Sequence, residues 1–191
     1  MKIGLFFGSF NPIHVGHLII ANIMAENTDL DKVWFVVSPQ NPFKPAKGLL
    51  HEFDRFEMVR AAVYDSYKLE VTDIEFHLPK PSYTIHTLVH LSEKHPDKQF
   101  KIIIGEDNLD GFTRWKNHEI ILENYGLYVY PRPAAQPSAL KSHPHVKMVD
   151  APLLDISATF IRNCIRNKKS IRYMVPDAVE QLIVGKGHYL H

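Results

Sequence analysis

Two histidines and two glycines follow the first apolar run of the chain. Ile3 to Phe7 is apolar and β-prone, and Gly8 to His17 reads Gly-Ser-Phe-Asn-Pro-Ile-His-Val-Gly-His. Where a first strand passes into a first helix, the helix N-terminus offers free backbone N–H groups and a dipole that attracts an anion. His14 and His17 stand three residues apart, so they share one face of that helix. The segment therefore predicts a phosphate site in which the two imidazoles serve as catalytic cations.

The two glycines fit the same phosphate site, whereas the two histidines also have simpler interpretations. Gly8 and Gly16 lack the Cβ atoms that would hold a triphosphate away from the backbone, so we expect them to allow its close approach. An isolated pair such as His14 and His17 is more often packed in a core or solvated on a surface. A zinc pair is a further alternative, although no third Cys, His or carboxylate stands at a recognisable ligand spacing.

A second segment with phosphate-binding chemistry runs from Ile156 to Arg162 and reads Ile-Ser-Ala-Thr-Phe-Ile-Arg. Ser157 can cap a helix that continues to Ile165. Thr159 and Arg162 then lie one turn apart on one face of that helix. A hydroxyl, a guanidinium and first-turn amides in one place suit the outer phosphates of a nucleotide.

Both segments resemble known signatures. His14 to His17 resembles the HxGH motif of the nucleotidyltransferase α/β-phosphodiesterase superfamily, and Ile156 to Arg162 resembles its ISxTxxR motif. Between them, Pro81 to Leu88 (PSYTIHTL), Gly105 to Leu109 (GEDNL) and Trp115 narrow the resemblance to the bacterial nicotinate-nucleotide adenylyltransferases, over nearly the whole chain.

The resemblance implies a reaction and its partners. Members of this family transfer AMP from ATP to nicotinate mononucleotide, giving nicotinate adenine dinucleotide and pyrophosphate, a step of NAD synthesis. Mg²⁺ would arrive bound to ATP, so no dedicated metal ligands are expected. Because the attacking group is already an anionic phosphate, positioning and charge stabilisation suffice and no protein nucleophile is needed.

The resemblance also implies roles on the ATP side. His17 is the imidazole at the α-phosphate with His14 beside it, and Thr159 and Arg162 hold the β- and γ-phosphates. Asp107 is expected to accept a ribose hydroxyl. The full set of expected ATP-binding residues is Gly8, Ser9, Phe10, His14, Gly16, His17, Gly105, Asp107, Ile156, Ser157, Thr159 and Arg162.

On the mononucleotide side the resemblance implies phosphate contacts from basic loop residues, carboxylate recognition at the turn before a helix, and a stacking face for the pyridine ring. The expected residues are Asn11, Lys44, Ser82, Tyr83, Thr84, Trp115, Lys116 and Arg132. Plain helix caps, a core tryptophan and solvated loop cations stay open as alternatives. Three positions depart from the family pattern: Phe7 replaces a glycine, and Asn11 and His86 replace aspartates.

Composition restricts the class of protein. The chain has 191 residues, with 22 basic and 21 acidic side chains, so we expect one domain over residues 1–191 and neither a nucleic-acid groove nor a membrane patch. The single cysteine, Cys164, excludes an intrachain disulfide and fits a reducing compartment. No segment has the pattern of a signal peptide or a membrane span, which predicts a cytoplasmic protein. A homo-oligomer stays open.

Apolar β-rich runs alternate with helical patterns. Strands are predicted at Lys2–Phe7, Val33–Val37, Leu69–Val71, Phe100–Ile104, Leu127–Tyr130 and Val146–Val149. Helices are predicted at Val15–Glu26, Glu52–Tyr64, Thr84–Lys94, from the Ser157 cap to Ile165, and from a first turn at Pro176 to Val184. This order predicts an α/β fold: a Rossmann-like, doubly wound, mostly parallel sheet with C-terminal helices.

Other functions remain as alternatives. A transferase of the same superfamily could act on nicotinamide mononucleotide or phosphopantetheine. A redox protein that binds a finished dinucleotide could use the same fold, but Gly8 to Asn11 is not the GxGxxG turn and Ile156 to Arg162 would stay unexplained. A nucleotide-sensing regulator without turnover is a third alternative.

Overall fold

The structure, a computed structural model, describes residues 1–39, 48–133 and 135–190. Its described strands form one six-stranded sheet in the order β3-β2-β1-β4-β5-β6, and every neighbouring pair is parallel. The strands are β1 Lys2–Gly8, β2 Lys32–Val37, β3 Leu69–Thr72, β4 Gln99–Gly105, β5 Leu127–Tyr130 and β6 Val146–Met148.

Helices cover both faces of this sheet. They are α1 Val15–Asn27, α2 Glu52–Val63, α3 Thr84–Lys94, α4 His118–Asn124, α5 Ala158–Arg166 and α6 Asp177–Lys186. Short 3₁₀ turns lie at Ile74–His77, Glu106–Asn108, Phe112–Arg114 and Ala139–Ser142.

Alternation along the central strands creates two apolar cores. Phe6 of β1 packs with the inner faces of α1, α2, α5 and α6, whereas Ile3 and Leu5 of β1 pack with α3 and α4 on the opposite face. Strands that are buried on both sides in this way explain the nearly continuous apolar runs in the sequence.

The strand order places a topological switch point at β1. The chain runs outward from β1 through β2 to β3 and then returns to β4 on the other side of β1. In open parallel sheets, ligands bind beyond the carboxyl ends of the strands at this point. The residues that follow Gly8 and Gly105 therefore lie where a ligand is expected.

The predicted α/β fold is confirmed, and the sheet is parallel throughout its described strands. All predicted strands and helices are present with ends within two residues of those expected. Pro176 is the residue before α6 and not part of its first turn. The seven-residue α4 is not predicted by the periodicity of the sequence. Within the described residues, no helix has the length and apolar character that crossing a membrane requires.

Candidate active site

Two clefts open at the carboxyl edge of the sheet among the described residues. The first has a volume of about 450 Å³ and is lined by the Gly8–Asn11 turn, the start of α1, the start of α5 and Arg132. We call it the phosphate cleft. The second has a volume of about 470 Å³ and is lined by the turn before α3 and by Trp115. We call it the ring cleft.

The two clefts collect every predicted site residue that the structure describes. Those in the phosphate cleft are Gly8, Ser9, Phe10, Asn11, His14, Gly16, His17, Asp107, Arg132, Ile156, Ser157, Thr159 and Arg162. Those in the ring cleft are Gly8, Ser82, Tyr83, Thr84, Gly105, Trp115 and Lys116. Lys44 lies outside the described residues.

The two imidazoles stack at the start of α1. Their ring centroids lie 3.7 Å apart with an interplanar angle of 22°. His14 is the residue before the first helical turn, and its backbone N–H donates to Nδ1 of His17 at 3.3 Å. Because that nitrogen accepts, a neutral His17 carries its proton on Nε2.

The environment of His14 differs from the expectation that both histidines are cations. Only 4% of His14 is exposed, and burial together with the nearby charge of Arg132 lowers its pKa to about 4. Without a ligand, His14 is therefore neutral near pH 7. Its Nδ1 is buried and has no hydrogen-bond partner among the described residues.

The glycines serve a packing role that the sequence reasoning missed. A Cβ on Gly16 would lie 2.5 Å from Cγ2 of Ile156 and 3.1 Å from Nδ1 of His14, so Gly16 lets the HxGH segment contact the ISxTxxR segment. A Cβ on Gly8 would lie 2.7 Å from the ring of Phe10. The close approach of a triphosphate at these glycines stays a prediction beside these contacts between protein groups.

The first turn of α5 provides a hydroxyl and a guanidinium as predicted. Ser157 caps the helix by accepting the backbone N–H of Phe160 at 3.2 Å. Arg162 donates from Nη2 to Oγ1 of Thr159 at 3.0 Å and from Nη1 to the backbone carbonyl of Asn11 at 2.7 Å. Arg162 therefore ties α5 to the turn after β1.

Two residues that were predicted to contact the mononucleotide, Asn11 and Arg132, line the phosphate cleft. The amide of Asn11 is occupied within the protein: Nδ2 donates to Gly48 O at 2.9 Å, and Oδ1 accepts the Tyr189 hydroxyl at 2.9 Å. Asn11 thus fixes backbone through both atoms of its amide group. Nε of Arg132 lies 3.7 Å from Oδ1 of Asp107.

Aromatic and basic side chains line the ring cleft. The ring of Trp115 is partly buried and packs on Phe112 with a centroid distance of 5.3 Å, so one part of it is core and another part faces the cleft. Nζ of Lys116 lies 4.7 Å from the ring centroid of Tyr83 and 3.2 Å from Nε2 of His86. His86, which replaces the family aspartate, is therefore a partner of Lys116.

Arg55 supports the turns beside the clefts, and sequence reasoning missed it. It is fully buried and donates to the backbone carbonyls of Ser9 at 2.6 Å, Ser38 at 2.8 Å, Pro39 at 3.0 Å and Leu50 at 2.9 Å. It joins the turns that follow β1 and β2. Nothing local signals this role, because a charged residue within an amphipathic helix pattern is ordinarily solvent-facing.

The ring cleft contains a second missed residue, Glu75. It is 2% exposed and accepts the hydroxyls of Ser82 at 2.9 Å and Thr87 at 2.8 Å. Burial raises the pKa of Glu75. Its signal in the sequence is weak, since a lone glutamate between apolar residues predicts no partner.

The strand order, the anion-binding helix starts and the paired clefts define a nucleotide-binding protein of the Rossmann-like α/β class. The model of the cytidylyltransferase-like family matches residues 5–164. The chain belongs to this family.

Curated relatives match nearly the entire chain. A protein of Cytophaga hutchinsonii is 64% identical over 189 residues, with 99% of this chain and 98% of the relative covered. A protein of Flavobacterium johnsoniae is 52% identical over 191 residues, with 99% of each chain covered. Both carry the name "Probable nicotinate-nucleotide adenylyltransferase".

Solved structures share the fold. Plasmodium falciparum nicotinic acid mononucleotide adenylyltransferase complexed with NaAD superposes with a TM-score of 0.82 at 20% identity, over 98% of this chain and 97% of that chain. A Vibrio parahaemolyticus protein described as a "Putative Nicotinate-nucleotide Adenylyltransferase" gives a TM-score of 0.74 at 21% identity, over 100% of this chain and 96% of that one.

Proposed function

We propose that this protein transfers AMP from ATP to nicotinate mononucleotide, giving nicotinate adenine dinucleotide and pyrophosphate. The observation that carries the proposal is the shared rim of the two clefts, formed by Phe6, Phe7, Gly8, Asn108 and Tyr130. A triphosphate in the phosphate cleft and a mononucleotide in the ring cleft would meet at this rim. The names of the curated relatives support the same reaction.

The reaction needs a hydrogen-bond donor that stabilises the negative charge growing on the α-phosphate during the transfer. A phosphate oxygen of the mononucleotide forms a bond to the α-phosphorus of ATP, and the bond from that phosphorus to the bridging oxygen breaks, with both electrons leaving on pyrophosphate. Nε2–H of His17 supplies a fixed donor to the α-phosphate. His14, neutral before ATP binds, orients His17 through its backbone N–H.

The outer phosphates are assigned to α5. Arg162 and Thr159 are already joined at 3.0 Å, so a hydroxyl and a guanidinium face the cleft as one unit. Arg132, expected beside the mononucleotide, is reassigned to a phosphate oxygen near the rim. Mg²⁺ would enter with ATP as part of the substrate, because phosphate oxygens are its preferred ligands. Asp107 is proposed to accept a ribose hydroxyl.

In the ring cleft, the pyridine ring is proposed to stack on Trp115 and its carboxylate to accept from the backbone N–H groups at the start of α3. Lys116 adds a positive charge beside Tyr83. Lys44 stays a predicted contact for the mononucleotide phosphate. The cytoplasmic location and a homo-oligomer likewise stay predictions.

One experiment separates the alternatives. The protein is incubated with ATP and Mg²⁺ and, in separate reactions, nicotinate mononucleotide, nicotinamide mononucleotide and phosphopantetheine. Products are identified by mass, and pyrophosphate is measured. We expect the nicotinate dinucleotide. Preferential use of either other acceptor would reassign the substrate, and a folded, ATP-binding protein that releases no pyrophosphate with any acceptor would indicate a sensor or a redox protein.

A further inference from the structure

The carboxylate of Glu75 lies beneath the turn that is proposed to recognise the mononucleotide. Oε2 accepts the Ser82 hydroxyl at 2.9 Å and Oε1 accepts the Thr87 hydroxyl at 2.8 Å. Ser82 precedes α3, and Thr87 lies one turn into it. Glu75 belongs to the 3₁₀ turn Ile74–His77. Its side chain therefore connects this turn both to Ser82, before α3, and to Thr87, within α3.

The direction of these hydrogen bonds limits what Ser82 can do. A hydroxyl has one proton, and that of Ser82 is donated to Glu75. Toward the cleft, its oxygen then presents only lone pairs, which repel a carboxylate. A carboxylate in the ring cleft would therefore accept from donors other than the Ser82 hydroxyl, such as the backbone N–H groups of the same turn, and Ser82 contributes the position of the turn and not a hydroxyl contact.

The bond set is buried, so it is rigid. Glu75 is 2% and Ser82 is 6% exposed, and Thr87 is fully buried. Water has little access to compete for these bonds, and loss of one partner would leave a buried polar group unpaired. Burial raises the pKa of Glu75, while the hydroxyls of Thr87, Ser38 and Ser82 act in the opposite direction.

We propose that Glu75 is a positioning residue for the mononucleotide: by taking the protons of Ser82 and Thr87, it holds the start of α3 with its free N–H groups at the ring cleft. The proposal rests on the function proposed above. It assigns to Glu75 no contact with the reacting phosphates, which lie toward the other cleft.

The test is steady-state kinetics with ATP and nicotinate mononucleotide on Glu75→Gln. Gln keeps the shape but offers one acceptor where Glu75 offers two, so one hydroxyl must reverse. We expect KM for the mononucleotide to rise about tenfold, with KM for ATP within about twofold and kcat within about threefold of wild type. Glu70→Gln removes the same charge from β3, outside both clefts, and should change neither KM.

Two further variants show whether Glu75 acts through the turn. Ser82→Ala should raise the mononucleotide KM, and the double variant with Glu75→Gln should raise it by less than the product of the two separate effects, since both alter the same set of hydrogen bonds. Thr87→Val removes the other donor and should raise that KM about threefold, which keeps the test available if Glu75→Gln does not fold.

Equal effects on both substrates, unchanged KM values or fully additive variants would overturn the role of Glu75. If instead the wild-type protein forms no dinucleotide from these substrates, the proposed function fails.

Discussion

At the scale of single residues, burial divides the two stacked histidines into different roles. His14 is buried and neutral, and it contacts His17 through backbone and ring. His17 is only partly buried and lines the phosphate cleft. A donor fixed in this way loses little orientation freedom when charge develops on the α-phosphate.

Replacing His17 tests that donor. We expect His17→Ala to lower kcat by about a hundredfold or more while KM for ATP changes little, because the contact strengthens only in the transition state. His17→Asn should be similarly impaired, since its amide oxygen can accept the His14 N–H but cannot replace the Nε2 donor. His90→Ala, on the exposed side of α3, is the control. A near-wild-type kcat in folded His17→Ala would falsify the role.

The buried imidazole of His14 predicts a pH-dependent stability. Its pKa falls from 6.5 to about 4 on folding, so below pH 6.5 the unfolded chain binds a proton that the folded protein does not. The contribution of His14 to the free energy of unfolding therefore decreases as the pH is lowered from 6.5 toward 4. Between pH 7 and pH 5 it decreases by about 2 kcal/mol. Denaturant titrations of wild type and His14→Asn at both pH values measure it. The variant should lose that part of the pH dependence. An equal change in the free energy of unfolding between the two pH values in both proteins would contradict the lowered pKa of His14.

The sequence predicted which residues the fold brings together better than it predicted the environment of each. His14, His17, Thr159 and Arg162 could be located because short motifs fix their spacing on a helix. The protonation of His14 could not, because it depends on burial created by the whole fold. Arg55 was missed for a related reason: the carbonyls it binds belong to turns brought together only by the sheet.

At the scale of elements, the site depends on contact between α1 and α5. Gly16 of α1 faces Ile156, which immediately precedes the cap of α5, and Arg162 of α5 bonds the carbonyl of Asn11. The two helix starts that are proposed to bind phosphate are therefore held against each other. The two motifs are far apart in the sequence, and the packing that brings them together cannot be predicted from either motif alone.

Arg162 should discriminate between the substrates. We expect Arg162→Ala to raise KM for ATP at least about tenfold and KM for the mononucleotide much less, because only ATP has outer phosphates for α5 to bind. Arg166→Ala, one turn further along α5 and exposed, is the matched control. A larger change for the mononucleotide would mean that α5 serves the other substrate.

The contact at Gly16 can be tested with a pair of glycine variants. Gly16→Ala should lower the free energy of unfolding by about 1–3 kcal/mol, because its Cβ would overlap Ile156. Gly185→Ala, in α6, has no heavy atom within 4 Å of the added Cβ and should raise it by about 0.5–1 kcal/mol through helix propensity. Thermal or denaturant unfolding compares them. An unchanged free energy of unfolding in Gly16→Ala would show that α1 and α5 can shift to accommodate the added Cβ.

The elements themselves were largely predictable. Runs such as Phe100–Ile104 and the 3.6-residue pattern of α2 follow directly from burial against a two-sided sheet. The helix α4 was not predicted, since seven residues give too few turns for a period to emerge. The position of Asn11 was predicted, but the partners of its amide were not, because Gly48 and Tyr189 are distant in sequence.

At the scale of the whole molecule, two clefts of similar size lie side by side and share the end of β1. Under the proposed function each can select its ligand independently, since the residues proposed to bind the triphosphate and those proposed to bind the pyridine ring lie in different clefts. Selection of the ring substituent should therefore be separable from ATP binding.

We expect nicotinate mononucleotide to be used at least about ten times more efficiently than its nicotinamide analogue. An amide NH₂ placed at the N–H groups that begin α3 would be left unpaired, at a cost of about 1–3 kcal/mol. Comparison of kcat/KM for the two mononucleotides measures the preference. Trp115→Ala should weaken both substrates without inverting it, because stacking does not depend on the substituent. Equal wild-type efficiencies would contradict the nicotinate assignment but not adenylyl transfer.

The complete burial of Arg55 divides the attraction for phosphates into two parts that respond differently to ionic strength. Arg132 is partly exposed, with 38% of its side chain accessible, and dissolved ions can screen its field. Arg55 is fully buried behind the Ser9 carbonyl at the cleft wall. Counterions cannot approach its guanidinium directly, so its field is screened less than that of an exposed cation. We therefore expect the part of the potential at the cleft wall that Arg55 contributes to depend less on ionic strength than the part that Arg132 contributes.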